Sequence, residues 1–94
     1  MKLRWSARAH QDLLDIHRYI SRDNSQAART WVKKLRTHAR RAAEGPMAGR
    51  IVPEFERRDI REILFRNYRI AYRVKKDGIL ILTVFEGHRL LKGI

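Results

Sequence analysis

The sequence predicts an α+β fold: an N-terminal strand and an antiparallel helical hairpin packed on a small, mostly antiparallel twisted sheet, in the order β-α-α-β-β-β. Three observations predict it. Apolar residues recur at helical spacing through the first half of the chain, and the period changes to two after about residue 60. Breakers, Asp23-Asn24 and Gly45-Pro46, punctuate the helical half. Ninety-four residues with 44% hydrophobic content make a single domain, 1–94, with a modest core.

Each element follows from local pattern. Residues 1–5 alternate, with Leu3 and Trp5 on one side, and suit a short strand. Ser6 can cap a helix beginning at Ala7, in which Ala9, Leu13, Ile16 and Ile20 form one apolar stripe. Asp12, Asp15, Arg18 and Arg22 are placed outward. Ser25 can cap a second helix whose stripe is Ala28, Trp31, Leu35, Ala39 and Ala42, and Gly45-Pro46 ends it. So short a connection makes the two helices an antiparallel pair. Residues 47–59 have little periodicity, contain Gly49 and Pro53, and read as a loop. Three strands follow, over 60–65, 68–74 and 79–85, with a tight turn at Arg66-Asn67 and a type I′ hairpin signal at Asp77-Gly78. The last of them is apolar on both faces, which places it inside the sheet.

Charge is the dominant global feature. Twenty-two Lys and Arg oppose ten Asp and Glu, a formal net charge of +12. Such a field attracts nucleic acid, a ribosome or an acidic protein. The second helix concentrates it, carrying Arg29, Lys33, Lys34, Arg36, Arg40 and Arg41 with no acid among them. The absence of cysteine excludes disulfides and thiolate metal sites. His10 and His17 are two helical turns apart, too far to share one zinc ion, so no metal and no cofactor is expected. Nothing approaches the roughly 20 apolar residues of a membrane helix, and residues 1–5 lack the apolar run of a signal peptide. A soluble cytoplasmic protein without a membrane partner is the expectation.

Alternation over 68–74 puts Tyr68, Ile70, Tyr72 and Val74 on one face and Arg69, Ala71 and Arg73 on the other. With helices on the first face, Arg69 and Arg73 would stand on an open face, joined by Arg61 and, from the tail, His88 and Arg89. Guanidinium forks there could grip phosphates, or the face could be an ordinary solvated one. Glu54 adds a carboxylate. Were these groups to converge, Glu54 could act as base on a ribose 2′-hydroxyl, Arg69 could stabilise the phosphorane, and His88 could protonate the leaving oxygen.

Several segments together resemble the RelE/ParE toxins of type II toxin–antitoxin systems. They are Asp12-Leu13, Ile16 and Tyr19-Ile20 in the first helix, Gly-Arg-x-Val-Pro-Glu at 49–54, and Ile-Arg-Glu at 60–62. Tyr-Arg-Ile-Ala-Tyr-Arg-Val at 68–74 and a hydrophobic strand ending near His88-Arg89 complete the set. The resemblance spans nearly the whole chain. It implies a toxin neutralised by a cognate acidic antitoxin in a hetero-oligomer. The uninterrupted helical hairpin, the Val-Pro-Glu and Ile-Arg-Glu segments and Asn-Tyr-Arg-Ile-Ala-Tyr resemble ParE-like members, which inhibit DNA gyrase. Glu54, Arg69 and His88 fall near the Glu, Arg and His of YoeB-like members, which cut mRNA on the ribosome. The His-Tyr pair that ends those nucleases is replaced here by His88-Arg89-Leu90, so the resemblance implies ParE first and the ribosome-dependent nuclease second. Under either, Arg61, Arg69, Arg73 and Arg89 are the expected contacts to target or antitoxin.

Overall fold

The computed structural model describes residues 1–87 of the 94. Its elements are β1 (Lys2–Trp5), α1 (Ala7–Ser21), α2 (Ser25–Glu44), β2 (Arg50–Ile51), β3 (Ile60–Phe65), β4 (Tyr68–Lys75) and β5 (Gly78–Glu86). They form one five-stranded sheet in the order β1-β5-β4-β3-β2. Among the described residues only the β1–β5 pairing is parallel. The expected architecture holds, with one strand more: within the segment expected to be loop, Arg50 and Ile51 pair with Glu62 and Arg61 as a two-residue edge.

The helix ends are set by side-chain oxygens that satisfy amides the helix itself cannot. Ser6 Oγ accepts from the Ala9 amide at 3.0 Å and donates to the Leu82 carbonyl at 2.9 Å, so the cap of α1 also fastens it to β5. For α2 the cap is Asn24, whose side chain accepts from the Ala27 amide at 3.0 Å; Ser25, expected in that role, is the first helical residue. Ala9 and Leu13 of α1 and Ala28, Leu35, Ala39 and Ala42 of α2 are buried, as their stripes predict.

Asp12 does not face outward. Its Oδ2 accepts from the Thr83 hydroxyl and, at 2.9 Å, from the Val84 amide. The cause lies in β5, where Tyr72 of β4 pairs with Ile81 but Ala71 pairs with Thr83, leaving Leu82 as the extra residue of a bulge. The bulge shifts the alternation by one. Ile79, Ile81 and Val84 face the helices, while Leu80, Leu82 and Phe85 face the other side.

That other side is not open. Val52 and Phe55, from the segment between β2 and β3, pack over Ile60, Ala71 and Leu82, and Val52 is fully buried. Both faces of β5 are therefore covered, which is why it is apolar on both. The covering segment is a compact turn in which the amides of Phe55 and Glu56 both donate to the Val52 carbonyl at 3.1 Å. It is pinned at its end, where the Val74 amide of β4 donates to the Asp59 carbonyl at 2.7 Å.

Tyr72, fully buried, donates its hydroxyl to the Pro46 carbonyl at 2.7 Å and holds the end of α2 against β4. A Cβ on Gly49 would lie 2.2 Å from that hydroxyl oxygen, so only glycine fits there. Burial pushes the Tyr72 phenol above its ordinary value of 10.0, against the opposing hydrogen bond with the Gly49 backbone and the nearby Arg61. A phenol whose pKa is raised by folding contributes stability that is complete below about pH 10 and is lost as pH rises through the folded-state value. Thermal melts are expected to show Tm falling above about pH 10, with Tyr72→Phe giving a lower Tm at pH 7 but a shallower alkaline decline. Tyr68, raised by burial and then by Glu86 and Tyr19, retains part of the slope in that variant. An equally steep decline in Tyr72→Phe would show that Tyr72 is not responsible.

Candidate functional site

The tight turn between β3 and β4 fixes the geometry beneath the covering segment. Phe65 pairs with Tyr68 across Arg66-Asn67, which places Leu64 opposite Arg69 and Glu62 opposite Ala71. Glu62 and Arg69 are thus diagonal neighbours on one face, within reach of long side chains. On the far side Arg50 of β2 sits directly opposite Glu62. Phe85 of β5 sits directly opposite Arg69.

From these positions the side chains form a chain of ion pairs, Arg50–Glu62–Arg69–Glu54. Arg69 Nε donates to Glu62 Oε1 at 2.7 Å. Its Nη1 and Nη2 donate to the two Glu54 oxygens at 2.7 and 2.6 Å, a bidentate fork. Arg50 Nε donates to the second oxygen of Glu62. The Arg69 guanidinium carbon also lies 4.9 Å from the centre of the Phe85 ring, a cation–π contact. Glu62 has no side-chain exposure and Arg69 only 6%, against 16% for Glu54. The hydrogen bonds that Arg69 donates to Glu54, opposed by burial and aided by Glu62, hold its pKa well above its already high ordinary value, so the group is a permanent cation. The formal charges of the four residues cancel.

The expected site residues are therefore distributed differently from the sequence expectation. Glu54 and Arg69 do meet, but each occupies the other's hydrogen-bonding edge. Arg69 is not displayed on an open face, because the segment carrying Val52, Glu54 and Phe55 covers it. Arg61 pairs with Tyr72 and so lies on the opposite face from Arg69. Its guanidinium donates to the carbonyls of Met47 at 3.1 Å and Gly49 at 2.9 Å, clasping the loop that follows α2. Arg73 is half-buried, with Nε 4.0 Å from Asp59, whose carboxyl the hydrogen bond from Arg57 holds below its ordinary range. His88 and Arg89 lie outside the described residues. Glu62 and Arg50 were missed by the sequence reading, although the alternation of β3 already places Glu62 with Ile60 on the face of Arg69.

A concavity of about 490 Å³ opens on the helix side between α1 and the ends of β4 and β5. Asp15, Arg18, Tyr19, Arg22 and Glu86 are among the residues that line it, so it carries charges of both signs. No cluster of metal-ligating side chains occurs among the described residues, and no helix among them is long and apolar enough to cross a membrane.

Comparison with known proteins agrees with this architecture. A candidate toxin of Sinorhizobium fredii, Y4kP, is 33% identical over 90 residues, covering 94% of this chain and 90% of the relative. A solved chain from the chromosomal ParDE TA system of P. aeruginosa superposes with a TM-score of 0.75 at 25% identity, covering 92% of this chain and 95% of that one. The family profile described as the ParE toxin of the type II toxin-antitoxin system, parDE, matches residues 3–91. The chain belongs to the ParE toxin family of type II toxin–antitoxin systems, and resembles ParE more than RelE or YoeB.

Proposed function

We propose that this toxin acts by binding rather than by cleavage: it inhibits DNA gyrase, and a cognate acidic antitoxin neutralises it inside the bacterial cytoplasm. The observation that carries this reading is the arrangement around Arg69. A ribonuclease of the Glu–Arg–His kind needs a carboxylate presented to a ribose hydroxyl and a guanidinium presented to the phosphate. Here both oxygens of Glu54 accept from Arg69, and all three Arg69 nitrogens donate to Glu54 or Glu62. That is the geometry of a structural clamp. The net charge of +12 supports an acidic antitoxin, since the free toxin carries an excess cationic field that an anionic partner relieves.

The purified toxin is expected to suppress the supercoiling of a relaxed plasmid by gyrase, and addition of the antitoxin should restore it. In parallel, programmed ribosomes incubated with the toxin should yield full-length mRNA by primer extension. Discrete cuts that require ribosomes, together with unaffected gyrase, would replace this reading with the mRNA endonuclease, for which Glu54, Arg69 and His88 would be the residues to test.

A further inference from the structure

We infer that the outer face of α2 is a docking ridge for the phosphate backbone of duplex DNA. Arg29, Lys33, Arg36 and Arg40 follow one another at spacings of four, three and four, so they fall within about 60° of the helix circumference and span about 16 Å of its length. Lys34 and Arg41 flank them, and all six side chains are exposed. Among the described residues none of the six has a carboxylate within ion-pairing distance. The other arginine-rich region behaves in the opposite way, with Arg50 and Arg69 joined to glutamates. Glu44, the one acid of α2, lies at its C-terminal end beyond Arg40.

The chemistry of the ridge selects its partner. Protein interfaces are anchored by buried aromatic and large apolar side chains. Among the described residues the exposed large hydrophobics are Met1, Leu14, Tyr19, Met47, Ile51 and Leu64, and none belongs to α2. Single-stranded nucleic acid is held on exposed aromatic platforms. The one tryptophan of α2, Trp31, packs edge-on against Phe65 and Tyr68 at 5.5 and 5.9 Å, on the side away from the ridge. Regularly spaced cations without apolar anchors match a duplex, which presents about one negative charge per 1.7 Å of axis and asks only for charge at the right spacing. Arg36 also lies 5.7 Å from the centre of the Trp5 ring, a contact that steadies the middle of the ridge.

The test measures binding of the full-length toxin to a fluorescent 20-base-pair duplex of arbitrary sequence across a salt series. Four phosphate contacts give a slope of log K against log salt of about −3.6, and hence a roughly hundredfold loss of affinity between 50 and 200 mM salt. The variant R29Q/K33Q/R36Q/R40Q should lose most of that slope. A control of equal net charge, R18Q/R22Q/K75Q/K76Q, changes four exposed cations elsewhere and should keep it. The double variant K33Q/R36Q should fall midway, and serves in place of the quadruple one should that fail to fold. Equal losses in the ridge and control variants would overturn the assignment, because binding would then follow total charge. So would capture of a polyglutamate peptide through the ridge with no affinity for DNA, which would make the face a protein interface. Gyrase is absent from this test, so its failure leaves the gyrase reading standing, and failure of the gyrase assay leaves the ridge standing.

Discussion

Arg69→Ala is expected to lower the melting temperature by roughly 15 °C or more, and so to abolish toxicity through loss of fold. Removing one partner of a buried, hydrogen-bonded ion pair costs about 3–5 kcal/mol, because the other charge stays buried. Domains of this size have roughly 5–15 kcal/mol in all, and each kcal/mol shifts Tm by about 4–8 °C. Glu62 has no side-chain exposure, so without Arg69 its carboxylate would keep, among the described residues, only the Arg50 ion pair. Urea titration followed by circular dichroism measures the loss directly. The double variant Arg69→Met/Glu62→Leu should recover much of the stability, since apolar replacement of a buried pair is often close to neutral. Toxicity retained by that folded variant would separate the structural duty of Arg69 from any part in target binding. An Arg69→Ala protein that melts within a degree or two of the wild type would sink the clamp.

Gly78→Ala is expected to cost about 3 kcal/mol, the upper end of overpacking penalties, and to detach β1 from β5. A Cβ at position 78 would stand 2.0 Å from the Lys2 carbonyl oxygen and 2.7 Å from the Lys2 nitrogen, and backbone cannot yield as the end of a flexible side chain can. Lys2 is the register partner of Gly78, so the clash falls at the start of the parallel β1–β5 pairing. Release of β1 would expose Trp5 and Leu3, both packed against the core, and would also free Ser6, the cap of α1. Tryptophan fluorescence should shift to longer wavelength alongside the loss of stability. An unshifted spectrum with an unchanged urea midpoint would mean that β1 slides to accommodate the methyl group.

The same glycine shows where sequence pattern misleads. Asp77-Gly78 signals a type I′ turn, yet Lys75 pairs with Gly78, so the two turn residues are Lys76 and Asp77. Neither takes a positive φ. The glycine is required by the close approach of another strand, a demand that local sequence does not encode. Asp77 is instead tied to β1, its carbonyl accepting from the Lys2 amide at 3.0 Å and its carboxylate lying 3.6 and 3.8 Å from Lys2 and Arg4. The Arg66-Asn67 turn was legible and in register, with Arg66 in the left-handed region at φ 55°.

By itself the sequence determined the helical hairpin, the three strands after residue 60, the interior place of the last one, and the family. The elements depend on periodicity and on breakers, which act over a few neighbouring residues and leave a direct trace in the chain, whereas the family was legible only as a resemblance carried by the order of several motifs. Only the tertiary structure decided the state of the arginines. Whether Arg69 meets solvent depends on a covering segment without periodicity, whose Val52 and Phe55 find apolar partners only once β3, β4 and β5 are side by side. The bulge at Leu82, which turns Asp12 from a surface acid into an anchor for Val84, is likewise a property of two paired strands and of neither alone. Charge was legible as a total, but pairing was not. The carboxylates that join Arg50 and Arg69, and the absence of any such partner along the ridge of α2 among the described residues, are fixed by contacts between segments distant in sequence.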